Sequence, residues 1–362
     1  MRWEDELVER LATHRRERIG GLSDQAFEEL RLAVRENPDG FLDHDDDRAF
    51  ALVAKGLEAS RAAQAEEEFL DDEAYEAARA KRFARLGETC REALAIDPGC
   101  LDAKTLLAIT GSQEADAVLQ ALDAAWAETR ASAAGRASGA RAAKDEVAAE
   151  GSAAGAAGAA GGSGASGAAG GSEAAPADGG TSPAAVFARP RMRLLAARAR
   201  YQLDTARYRP AATSCELAVL NDPADELGCR YTWAIALARL EDEAGFDQLD
   251  AKFERQGNAW SHLARTLLMF KLDRMSAARR ALRGYASLCK GGAYALLRPA
   301  FVETYLPCRP GFAPGSYDEA VLAVHECDPV VMDTPDFLTW AGAQEGFSEQ
   351  ARRFADDHDL DW

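Results

Sequence analysis

Two short stretches of this chain gather the side chains that acid–base, nucleophilic or metal chemistry uses. His325, Glu326, Cys327 and Asp328 stand in succession and hold a base, a nucleophile and two acids. Neighbours on a helix point about 100° apart, whereas a shared site needs a spacing of three or four residues. The expected reading is a polar helix end facing solvent. Asp43, His44, Asp45, Asp46 and Asp47 form the second stretch. Their spacing fits neither a calcium loop nor a zinc site, and carboxylates just ahead of a helix are favoured by its dipole. No metal and no cofactor is expected.

The remaining histidines, His14, His262 and His358, are scattered, and no HExxH, GxSxG, P-loop or kinase signature occurs. A glycine-rich phosphate cradle would need a preceding strand and a lysine frame, and there is no lysine between positions 145 and 251. The chain is therefore expected not to be an enzyme. Its seven cysteines (90, 100, 215, 229, 289, 308, 327) include no CxxC pair and read as reduced, buried thiols of a cytoplasmic protein.

A third set of residues offers binding rather than catalysis, and it depends on the elements that hold it. The stretch from Ala184 to Ala218, closing on VLNDP, reads as one helix–turn–helix unit. With Pro223 at the exit, Ala199 and Ala211 fall where two helices approach closely. Tyr208 falls at the aromatic turn position, Cys215 at the second large position and Ala218 at the late small one. Small side chains are required where axes come within about 8–10 Å. This is the spacing of a tetratricopeptide unit. In such an array the first helix of each unit lines the concave groove. Arg193 and Arg200 then share that inner face, and Arg230 lies on the inner face of the next unit. Three converging guanidinium groups would attract a protein or peptide partner that is acidic or presents a free C-terminal carboxylate.

The whole chain supports an all-α, tetratricopeptide-like solenoid. Its 362 residues are alanine-rich, 47% hydrophobic and carry a formal charge of −18. Such acidity argues against nucleic acid or an anionic membrane as partner. The N-terminus has no apolar leader and no run is long enough to span a bilayer, so a soluble, cytoplasmic protein is expected.

Residues 1–130 read as N-terminal helical repeats. Trp3, Leu7 and Leu11 mark the first helix, Ser23 caps the second, and a repeat-like unit lies between Phe69 and Pro98. Residues 131–182, almost wholly Gly, Ala and Ser, read as a flexible low-complexity insertion that cannot offset its ordering entropy. Residues 183–290 hold the core repeats, with Asn258 starting a pair that has Ala278 at its crossing. Residues 291–362 open on a connection whose prolines at 299, 307, 310 and 314 preclude helix. Ser316 then caps a helix, Pro335 is placed for the first turn of the next, and the tail FADDHDLDW is expected to fray.

The blocks FARPRMRLLAARARYQL, VLNDPADELGCRYTWAIALARL, WSHLARTLLMFKL and LLRPAFVETYLPCRPGFAPGSYDEAVLAVHE, followed by TPDFLTWA, resemble a bacterial tetratricopeptide-repeat family. That family is related to the suppressor-of-tumorigenicity-seven protein homologues. The resemblance covers roughly Phe69 to Ala343 and implies an all-helical fold used for protein interaction, with no catalytic residues to carry over. Two departures stand out. The aromatic segment ahead of the RPYMR-type entry is replaced by the Gly/Ala/Ser tract, and the junction reads NDPADELG without the second Asn and the Gln.

Two functions follow. One is a non-catalytic interaction scaffold or adaptor using a concave groove. The other is a regulatory or accessory domain sensing a small ligand or metal near Leu297–Ser316, where Tyr294, Phe301, Tyr305 and Phe312 cluster in sequence.

Overall fold

The computed structural model describes residues 2–67, 69–131 and 183–362. They are helical, with no strand among the described residues. The elements are α1 (Trp3–Ile19), α2 (Asp24–Glu36), a 3-10 turn (Pro38–Phe41), α3 (Asp45–Glu67), α4 (Asp72–Ile96), α5 (Leu101–Gly111), α6 (115–131), α7 (Pro183–Asp204), α8 (Tyr208–Asn221) and α9 (Cys229–Arg239). They continue with α10 (Glu243–Lys252), α11 (Ala259–Lys271), α12 (Met275–Leu288), α13 (Gly292–Leu297), α14 (Tyr317–Val331), α15 (Phe337–Gly342) and α16 (Phe347–Asp357). The Gly/Ala/Ser-rich insertion expected at 131–182 lies, apart from residue 131, outside the described residues. No helix among the described residues is long and apolar enough to cross a membrane.

Side-chain caps set five of the helix starts. The Ser23 hydroxyl accepts from the Ala26 amide, Asp71 from Ala74, Asp242 from Gly245 and Ser316 from Glu319. Asn258 and Ser261 cap one another reciprocally at the start of α11. The turns repeat as well. After α7 the Ala206 amide bonds to the Leu203 carbonyl and the Arg207 amide to that of Gln202, with Ala206 at φ 59°. Glu241 and Asp273 stand in the same place after α9 and α11, with φ 59° and 56° and the same two bonds. Each is a Schellman turn, in which a left-handed residue closes the helix and aims the next one back along it. Five residues on from each left-handed residue, Ala211, Phe246 and Ala278 are buried. Seven residues before it, Ala199, Ala234 and Thr266 are buried too. The same bend and crossing positions therefore recur in α7–α8, α9–α10 and α11–α12.

The helices pack in sequence, α3 on α4, α4 on α5, α5 on α7, α7 on α8, α8 on α9 and α9 on α11, with α14 against α9 and α11. One core joins α1–α5 and another joins α9–α16. A third is shared across the chain: Ile109 of α5 and Val118, Leu119, Leu122 and Trp126 of α6 pack with Met192, Leu195 and Ala199 of α7 and Cys215 of α8.

Several expectations need correction. The segment from Phe69 to Pro98 is not a helix pair: α4 is a single 25-residue helix paired with α3. A short helix, α13, follows Gly291 before the prolines take over. Pro335 precedes α15 by two residues, because Asp336 takes a left-handed φ of 64° before the helix begins. The tail is docked rather than frayed: α16 packs on α13, and the Tyr294 hydroxyl donates to the Asp361 carbonyl at 2.8 Å.

Candidate functional site

The three arginines marked in the sequence have three different fates. Arg193 is buried on α7 and donates to four carboxylate oxygens, two of Glu6 on α1 at 2.8 Å and two of Asp102 on α5 at 2.7 Å. Its guanidinium also lies 4.1 Å from the Trp3 ring. Two acids and an aromatic face engage four of its five N–H donors, and the group is buried, so it joins α1, α5 and α7 rather than facing a partner. Arg230, at the start of α9, sits apart over the Tyr231 and Phe253 rings, with Nε 3.8 Å from Asp225. Arg200 is half-buried on α7, stacked 4.1 Å from the Tyr305 ring, on the wall of an open cleft.

Arg193 and Arg200 do come together, against a feature that spacing could not show. The helix-free stretch after Arg298 lies across the helices as an extended strap. Glu303 accepts from Arg82 of α4 and from Gln64 of α3. Leu306 packs into both the N-terminal and the shared cores, while Pro307 and Cys308 share a crevice with Arg193 and Arg200. Arg309 donates to the Leu227 and Gly228 carbonyls at 2.9 and 2.7 Å and to the Thr232 hydroxyl at 3.1 Å. It also meets both oxygens of Glu326 on α14, at 2.8 and 3.1 Å.

Glu326 is the convergence point of this side. It also accepts from the Trp260 indole at 2.6 Å and from the Tyr305 hydroxyl. Burial pushes its carboxyl up, but the Arg309 charge and the bonds from Arg309 and Tyr305 hold it below the ordinary value. Burial, aided by the Glu326 charge, pushes Tyr305 up to about 12, so it stays a neutral donor. The sequence cluster His325–Asp328 is thus split by the helix. His325 and Asp328 are exposed, whereas Glu326 and Cys327 are buried. The expected solvent-facing cluster is corrected on those two residues, because α14 turns them into the core.

Clefts flank the strap on both sides. One, of about 750 Å³, lies between α4, the α5–α6 connection, the end of α7 and α14. Arg200, Tyr201 and Asp204 stand on one wall, His325 and Asp328 on another, with Thr304 and Tyr305 of the strap between them. Crowding by the walls pushes the Asp204 carboxyl up to about 6, opposed by Arg200 and reinforced by Glu326. Partial burial holds the His325 imidazole below its usual value. The other cleft, of about 780 Å³, is bounded by α3, the strap and α14. Of the aromatic residues noted around the strap, Tyr305 lines both clefts and Phe301 and Phe312 only the second; Tyr294 is buried against α16 and the tail.

The acidic run near position 45 opens α3. His14, Asp46 and Asp47 bring nitrogen and oxygen atoms within 4.8 Å of one another. Arg10 donates to both aspartates, at 3.0 and 3.3 Å, so a guanidinium already supplies the positive charge there.

No protein-family model, no curated protein and no solved structure matches this chain.

Proposed function

We propose that the chain is a non-catalytic protein-interaction scaffold, built as a tetratricopeptide-like helical-repeat solenoid of the family its sequence resembles, and acting in the cytoplasm. Residues 131–182 connect the N-terminal repeats (1–130) to the core repeats (183–290), and residues 291–362 close the array. The recurring Schellman turns and buried crossing residues of α7 to α12 support the repeat reading. The observation that carries the function is the strap. An extended stretch of chain around Glu303–Arg309 is held by side chains from α3, α4, α9 and α14, which is how a helical-repeat groove holds a peptide. With that part filled from within, the surface left for a partner segment is the cleft beside Arg200. A partner that is acidic or ends in a free carboxylate would reach Arg200 there, while Arg193 holds the fold.

The test is selection of displayed random peptides on the immobilised full chain, with Arg200→Glu as the counter-selection. The expected result is a family of related peptides whose affinity falls at least about tenfold on charge reversal, a loss of about 1.4 kcal/mol. Selection that returns no sequence family, or one indifferent to Arg200, refutes the reading.

A second reading, an accessory domain that senses a small ligand, draws on the same cleft. Its volume of about 750 Å³ falls within the range of roughly 300–1,000 Å³ usual for small-molecule sites. A saturable thermal shift with a single metabolite, abolished by Arg200→Glu, would favour it.

A further inference from the structure

We infer that the cleft beside α7 receives a chain end that closes on lysine, its free carboxylate meeting Arg200 and its side-chain ammonium meeting Asp204 and Asp328. This rests on the scaffold function proposed above and names the chemistry of the segment the cleft accepts.

Some of the charges lining the cleft are already matched. Glu76 and Arg79 pair with each other, and Glu326 is taken up by Arg309. Three charged groups remain. Among the described residues Arg200, stacked on Tyr305, has no carboxylate oxygen within ion-pair distance, and its buried Nη2 has no hydrogen-bond partner. Asp204 and Asp328 are exposed on the cleft walls and, among the described residues, have no basic nitrogen within that distance, though the Arg200 charge acts on Asp204 from farther away. Among the described residues, one cation and two anions line the cleft with no ion pair closed between them, which favours a ligand bearing both signs, its cationic part meeting the two carboxylates.

Spacing narrows the class. Arg200 and Asp204 are four residues apart on one helix, so they share a face and stand about 6 Å apart along its axis. A lysine carries its ammonium on a flexible four-carbon stem, a reach of the same order from the α-carboxylate. The apolar stem would cross the aromatic walls given by Phe83 and Tyr305, where a long side chain loses little by being covered. A purely acidic end would leave the two aspartates repelling it, and a purely basic one would meet Arg200.

The experiment is calorimetric titration of the full chain with three acetylated tripeptides: Gly-Ala-Lys with a free carboxylate, its C-terminal amide, and the norleucine analogue that keeps the carboxylate but lacks the ammonium. The lysine acid is expected to bind, with the amide and the norleucine peptide each weaker by about tenfold or more, the scale of a charge-assisted hydrogen bond. Asp204→Asn with Asp328→Asn should erase the lysine–norleucine difference, and Arg200→Met the acid–amide difference. Both aspartates are exposed, so that arm stands even if Arg200→Met disturbs the stack on Tyr305. Equal binding of the norleucine peptide, or a lysine preference that survives in the double variant, overturns the inference while leaving the scaffold reading intact. No binding by any of the three also overturns it, and the peptide selection then decides the scaffold reading separately.

Discussion

Replacing Arg193 with methionine puts the most weight on the interpretation above, because Arg193 was marked from its position as a partner-binding residue. Glu6 and Asp102 are 2% and 1% exposed, so water cannot take over when the guanidinium is removed. Breaking a buried ion pair by deleting one partner costs about 3–5 kcal/mol, and here two carboxylates lose the same cation. The lost stack on Trp3 adds about 0.5–2 kcal/mol. The floor is therefore about 3–5 kcal/mol, a large part of the roughly 5–15 kcal/mol that holds a folded domain. Urea unfolding at neutral pH, followed by tryptophan fluorescence, measures it. Glu6→Gln and Asp102→Asn placed on the Arg193→Met background should recover most of the loss, since a neutral set needs no counter-charge. A loss under about 1 kcal/mol, or no recovery in the triple variant, would show that the guanidinium does not hold α1, α5 and α7 together.

His14 accepts a similar test through its bond to Asp47. That bond raises the imidazole above its ordinary 6.5, against partial burial. A raised histidine contributes stability that is fully present below 6.5 and lost as pH climbs through the folded value. Melting temperature should therefore decline above pH 6.5 in the parent protein and less in His14→Gln. Ala199→Leu forces three extra carbons into a crossing where the alanine is fully buried, and should cost about 1–3 kcal/mol in chemical unfolding. Burial pushes the Cys90, Cys229 and Cys289 thiols up to about 12, so a disulfide-exchange reagent at pH 8 should leave them untouched in the folded chain. Half-buried Cys308 should react first, and slowly, because burial raises its thiol as well.

What the sequence disclosed was whatever is decided within a few residues. Ser23, Asn258 and Ser316 cap the helices they were expected to cap, and Ala199, Ala211 and Ala278 sit in tight crossings. Such features depend on a turn or two of chain. The arginines depend on partners far away. Arg193 finds Glu6 and Asp102 at sequence separations of 187 and 91, and no periodicity discloses that. The strap was legible only as an absence of helix, since prolines say what the backbone cannot do and not where it will lie. Arg309, between Cys308 and Pro310, gave the one available signal, a cation in a segment too short and stiff to keep it idle. Pro335 misled for a related reason: proline fits a first helical turn, but Asp336 tolerates a left-handed backbone and delayed the start.

The shared core of α5 to α8 has a practical corollary. Residues on either side of the 132–182 stretch are locked to one another by side chains alone, through Met192 against the α6 stripe and Arg193 against Glu6. Covalent continuity between the flanks then supplies proximity and little else. Two separately expressed polypeptides, 1–131 and 183–362, should find each other and rebuild the native helical signal on mixing. This chain is in effect a split protein whose halves happen to be tied.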